Sequence, residues 1–199
     1  MRCYIRWSAA ATLAIAALVA VEAATVSRQN AEAFSQKVTL IRRNAEAGKP
    51  AARKTPVSQD EVNSWFTYSA TPYLPSGVSQ PQITIVGGGR VAGQAIVDLD
   101  ALAKRRASGG TFDPWSLVGG RVPVNVTGLL HTRDGKARFE VQTAEVSGLP
   151  VPATLLQELV SFYSRTPEHP EGVRIDDTFS LPAQIREIQV GQGQAVVVQ

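Results

Sequence analysis

The side chains with most chemical reach in this chain are His131 and His169, its only histidines, and two aspartate pairs, Asp98 with Asp100 and Asp176 with Asp177. A histidine beside a carboxylate can hold zinc. Paired carboxylates can run glycoside hydrolysis or bind calcium. The spacings support neither. His131 falls at a predicted hairpin end and His169 in the loop Thr-Pro-Glu-His-Pro-Glu, with no His-x-x-x-His spacing and no nearby cysteine. Both read as solvated loop residues with no plausible partner. Asp98 and Asp100 alternate with apolar residues, as on the solvent face of a strand. Asp176-Asp177-Thr178 reads as the start of a turn. Gly87-Gly88-Gly89 precedes no Lys-Ser/Thr and no helix, so it reads as a hairpin turn rather than a phosphate loop. No Gly-x-Ser-x-Gly elbow is present. The expectation is a protein that is not an enzyme and has no metal and no cofactor.

The remaining candidates are apolar. Val62, Trp65, Phe66 and Tyr68 cluster in one short segment, and Leu155, Leu159 and Phe162 in another. Such stripes pack a core or line a site for a hydrophobic ligand. Core packing is the plainer of the two readings.

Both segments read as helices. Ser58-Gln59-Asp60-Glu61 is a capping box, in which the serine hydroxyl and the Glu61 carboxylate each satisfy a backbone N–H. The helix after it ends at Thr71-Pro72. Pro152 suits the first turn of the second helix, whose apolar stripe also includes Leu156 and Val160. Between and after these helices the chain alternates like strands. The predicted strands are Gln82–Val86, Arg90–Leu102, Arg121–Thr132 and Ala137–Val146, then Val173–Ser180, Gln184–Val190 and Gln194–Gln199. Lys104–Gly120 reads as an irregular crossover. Asp134-Gly135 supplies the positive φ values of a two-residue hairpin turn. The apolar phase changes between Val141 and Ala144, which predicts a β-bulge there.

Ser27–Ala47 reads as a helix with a sparse stripe of Ala33, Phe34, Val38 and Ile41, taken as a solvated spacer. Gly48–Val57, with two prolines, reads as a basic linker without regular structure. The expected organisation is therefore 1–26 a leader, 27–57 spacer and linker, and 58–199 one domain. Its fold class is α+β: a curved antiparallel sheet packed with two short helices, preceded by an N-terminal membrane or signal helix.

The leader sets the compartment. Arg2 and Arg6 flank a basic start, Trp7–Val21 carries no charge, and Val21-Glu22-Ala23-Ala24 resembles a signal-peptidase site. Trp7–Val26 is long enough to span a bilayer with Glu22 its only charge. A signal-anchor is preferred over a cleaved signal. Either way the body is expected to be extracytoplasmic, on the periplasmic side, anchored in the inner membrane or released. The 199 residues carry a net charge of +3, 44% hydrophobic and 19% charged residues. That balance suits a globular body and excludes the basic face that nucleic acid requires. The only cysteine is Cys3, so the body carries no disulfide and no thiol chemistry.

Ser58–Trp65 (SQDEVNSW), the meandering strands, Val146–Leu156 (VSGLPVPATLL) and Phe179–Pro182 (FSLP) come in an order that resembles YpmS-like and LmeA-like bacterial extracytoplasmic proteins, relatives of tubular (TULIP-like) lipid-binding domains. The resemblance spans about residues 58–199. It implies a cleft for acyl chains and raises ligand lining for the two aromatic and leucine-rich segments. The chain is shorter than a full tubular lipid carrier. The expected function is a membrane-tethered envelope domain that binds a lipid or other hydrophobic ligand. The alternative is a structural or interaction module of the envelope with a filled core, whose protein partner the residues do not name.

Overall fold

A computed structural model describes residues 26–98, 100, 120–163, 170–172 and 174–199. Its chain order is α1 (Arg28–Glu46), β1 (Lys54–Ser58), α2 (Gln59–Tyr68), a 3-10 turn (Thr71–Tyr73), β2 (Val78–Gly87), β3 (Arg90–Asp98), β4 (Arg121–Arg133), β5 (Lys136–Val146), β6 (Leu149–Pro150), α3 (Ala153–Tyr163), β7 (Thr178–Ser180), β8 (Glu187–Val190) and β9 (Gln194–Val198). The fold is α+β with antiparallel strand pairing. The leader lies outside the described residues, as do most of the Lys104–Gly120 crossover and His169. No described helix is long and apolar enough to cross a membrane.

Two sheets form where one was expected. The larger runs β2-β3-β4-β5-β6, with β7 also on β5; the smaller runs β1-β9-β8. The β4–β5 hairpin closes at Arg133↔Lys136, with Asp134 at φ 49° and Gly135 at φ 77°. Both central residues are left-handed, as a type I′ turn requires. Thr127 pairs with Thr143 while Gly128 pairs with Val141, so Gln142 is the extra residue of a bulge. It lies at the expected phase change and keeps both halves of β5 on one face. Gly87-Gly88-Gly89 joins β2 to β3 as a tight turn.

The segment read as a linker is partly a strand. Lys54–Ser58 pairs with β9, with Thr55 and Val57 buried and Lys54 and Pro56 exposed. Period-two alternation is present but only four residues long, and the two prolines of Gly48–Val57 mask it. Pro56 is tolerated because β1 is an edge strand. The helix read as a solvated spacer is packed. Ser27 caps it through Asn30 N–H, and Ala31 and Ile41 are buried. Ser27 N–H donates to the fully buried Ser64 of α2, and Lys37 on α1 meets Glu61 on α2 at 2.6 Å. Helix α1 and strand β1 thus pack against elements that follow Ser58. A polar helix looks solvated in isolation, but few apolar contacts suffice when a second helix supplies the rest.

The capping box at Ser58 forms as expected. Ser58 Oγ accepts from Glu61 N–H at 3.1 Å, and Glu61 Oε2 accepts from Ser58 N–H at 2.9 Å. Other strands are shorter than expected. β3 stops at Asp98, leaving Asp100 exposed beyond it, and β7 covers only Thr178–Ser180.

Candidate functional site

An apolar space lies between α1 and the small sheet. It is a cavity of about 500 Å³. One wall comes from α1 through Phe34, Val38 and Ile41, and Val57 and Val62 add to it from β1 and α2. The large sheet contributes Ile83, Ile85, Val91 and Leu130. The floor is Ile188 and Val190 of β8 with Ala195 and Val197 of β9. The cavity reaches the surface beside Val38, Arg42 and Pro182, which line it and are exposed.

The walls are held in place by backbone bonds. Gln59 N–H donates to Gly193 O, and Gly193 N–H donates to Ile85 O, tying α2, the β8–β9 turn and β2 together. Thr132 bridges the sheets, its hydroxyl donating to Ile188 O and accepting from Ile188 N–H. At the other end the Gln199 side chain donates to Ile41 O and Ala183 O and accepts from Asn44. These bonds fix both ends of the space between the sheets without filling its middle with side chains.

The seven residues singled out as ligand-lining separate. Val62 lines the cavity. Phe66 instead lines a second space of about 610 Å³, together with Thr67, Leu74, Pro75 and the Ser76–Gln82 segment. Trp65 packs against aromatic rings, with centroids 5.7 Å from Phe34, 5.7 Å from Phe66 and 5.8 Å from Tyr73, the last nearly parallel. Tyr68 is exposed under the Arg28 guanidinium, 5.0 Å from its ring centre. Leu155 lies on α3, which packs on β5, whereas α2 packs on α1 and β2. The side chains of Leu159 and Phe162 lie outside the described residues.

Sequence reasoning missed the lining that α1, β1, β8 and β9 supply. Signals were present: Val38 and Ile41 stand in the sparse stripe, and Ala195 and Val197 alternate in the last strand. Only pairing β1 with β9 brings them to one place.

The polar candidates are held by surface contacts. His131 does have a partner: its Nε2 lies 3.0 Å from Glu140 Oε2, and Arg138 approaches the same oxygen at 3.4 Å. The pair is diagonal across β4 and β5, since His131 faces Arg138 in register, so spacing along the chain could not reveal it. Both side chains are half-exposed, on an open strand face rather than in a cleft. Asp176 and Asp177 both lie near the Arg174 guanidinium, at 3.4 and 3.7 Å. Exposed pairs of this kind contribute little stability. Among the described residues no three His, Cys, Asp or Glu side chains gather closely enough to hold a metal ion.

The arrangement can hold an apolar body between α1 and the small sheet. Of the residues that line the cavity, only Lys37 and Arg42 are charged, and Glu61 neutralises Lys37. No family model, curated protein or solved structure matches this chain.

Proposed function

We propose that this protein binds a lipid or another hydrophobic ligand in the cavity between α1 and the small sheet, as an extracytoplasmic domain tethered through its leader. The cavity carries the reading. Sites for small ligands occupy about 300–1,000 Å³ and are mostly apolar, and this one, at about 500 Å³, falls within that range. The order of elements resembling the tubular lipid-binding relatives agrees with the proposal, although α1 forms a wall that the resemblance did not supply.

The test is direct. Mass spectrometry of apolar compounds extracted from the purified full chain identifies what it carries. A fluorescent acyl probe then measures binding to the wild type and to Val62→Trp. The wild type binds the probe, and the tryptophan fills the space and abolishes binding while the chain stays folded. A wild type that carries and binds nothing would leave the non-catalytic envelope module.

A further inference from the structure

We infer that the body lies directly on the lipid bilayer, seated through an exposed patch of Tyr68 and Tyr73, with Arg28 beside it, next to the point where the leader joins the fold. The inference rests on the proposed tether through the leader and not on the cavity. Its first support is that no spacer separates the two. Trp7–Val26 has the length of a bilayer span, about 20 residues, with Glu22 its only charge. Helix α1 begins two residues after it, at Arg28. The junction is itself docked: Ser27 N–H donates at 3.1 Å to the Oγ of Ser64, which is fully buried on α2. A span ending at Val26 passes straight into packed structure, so the surface around Ser27 lies at the headgroups.

The second support is what surrounds Ser27. Tyr68 stands one helical turn after Ser64, and its ring lies 5.0 Å under the Arg28 guanidinium. Tyr73 stacks on Trp65, the next residue after Ser64, with centroids 5.8 Å apart. Contacts therefore run without a break from Ser27 to both tyrosines. Yet Tyr73 is 75% exposed, and Tyr68 and Val26 are exposed with it.

The third support is the chemistry of the patch. Tyrosine carries an apolar ring with a polar tip, the combination that settles at a membrane–water interface. Arg28 adds a guanidinium that suits headgroup phosphates. Helix α1 has no acidic residue in its first turn, and Glu32 lies one turn further along. A bilayer brought to this point by the leader covers rings that the fold itself leaves in water.

The test reconstitutes the full chain into vesicles of equal parts phosphatidylcholine and phosphatidylglycerol. Cys3→Ser leaves no other thiol, so a single introduced cysteine takes an environment-sensitive fluorophore. Thr71→Cys places it between the two tyrosines, at an exposed position. Leu149→Cys places it on β6, equally open to solvent but at the opposite end of the large sheet from β2, on which α2 packs. The fluorophore at position 71 should shift to the blue and be quenched by lipids carrying a nitroxide at the headgroup or upper acyl chain. The one at position 149 should do neither. Adding Tyr68→Gln and Tyr73→Gln should reduce the signal at position 71 to that at 149 with the circular dichroism unchanged. Tyr68→Trp with Tyr73→Trp should retain it, because tryptophan shares the interfacial preference. Alkaline carbonate washing separates the two possible failures. Release of the chain by the wash overturns the tether, and this inference with it. A retained chain whose position 71 behaves like 149, or whose signal survives both glutamines, overturns the seating while the tether stands. A blue shift without nitroxide quenching shows a second copy of the chain over the patch and also overturns it.

Discussion

Asn63 on α2 closes a two-bond ring onto the backbone of Ile83: its Nδ2 donates to Ile83 O at 2.9 Å, and its Oδ1 accepts from Ile83 N–H at 2.8 Å. One helical turn earlier, Gln59 Oε1 accepts from Ile85 N–H at 2.8 Å. Four helical residues rise about 6 Å and two strand residues about 6.6 Å, so the two amides match the strand spacing. They cover the outer edge of β2, which would otherwise invite pairing with another chain. Asn63→Ala should lower stability by about 2–3 kcal/mol, since both Ile83 groups lose their partner. Urea unfolding measures it, and a loss below about 0.5 kcal/mol would contradict the edge-covering role.

Gly128 pairs with Val141 just beyond the bulge on β5, under the Phe139 ring. A Cβ there would stand 2.6 Å from Phe139 Cζ and also meet Glu140 O. Gly128→Ala should destabilise by about 1–3 kcal/mol, the usual cost of overpacking. Phe139→Leu added to it should recover part of the loss, and a double-mutant cycle from urea titrations reads the coupling.

The Ser58 cap is both the start of α2 and the end of β1. Ser58→Ala should cost about 1 kcal/mol. Glu61→Gln should cost less at the cap, because an amide oxygen still accepts from Ser58 N–H, but it removes the Lys37 ion pair. The cost of Glu61→Gln should fall between 0.1 M and 1 M salt, as screening removes the Lys37 pair from the wild type, while that of Ser58→Ala stays constant, as seen by thermal unfolding.

Trp65→Ala should destabilise by about 2 kcal/mol, below the ~3–5 kcal/mol of a fully buried aromatic, because Trp65 is only half-buried. It should leave acyl-probe affinity within about twofold, since Trp65 faces Phe34, Phe66 and Tyr73 rather than the cavity. Lost binding in a folded variant would move the ligand to the aromatic cluster.

What could be read along the chain was what local chemistry decides. Asp134-Gly135, Ser58 with Glu61, the glycine turn at 87–89 and the phase change before Ala144 each specify their own neighbourhood, and the structure places each as expected. The cavity was not legible in the same way. Val62 was found because it lies in a strong stripe, but Val57, Ile188, Ala195 and Val197 each look like fragments of a weak strand. Their meaning depends on a pairing between β1 and β9 that no local propensity encodes. His131 with Glu140 and Asn63 with Ile83 belong to the same class, contacts set by register and docking rather than spacing.

The Gln199 amide bonds Ile41 O across a separation of 158 residues, and β1 finds its partner only in β9. Closing so long a loop is slow, because its entropy must be lost before the contact repays it. Helix α1 and strand β1 are thus synthesised early and completed late. Until β9 arrives, Val38, Ile41, Val57 and Val62 have no floor beneath them and present an apolar surface to whatever surrounds the emerging chain. A chaperone with an affinity for extended apolar segments would meet the protein at this stage, and the space between α1 and the small sheet is first a surface to be protected from aggregation.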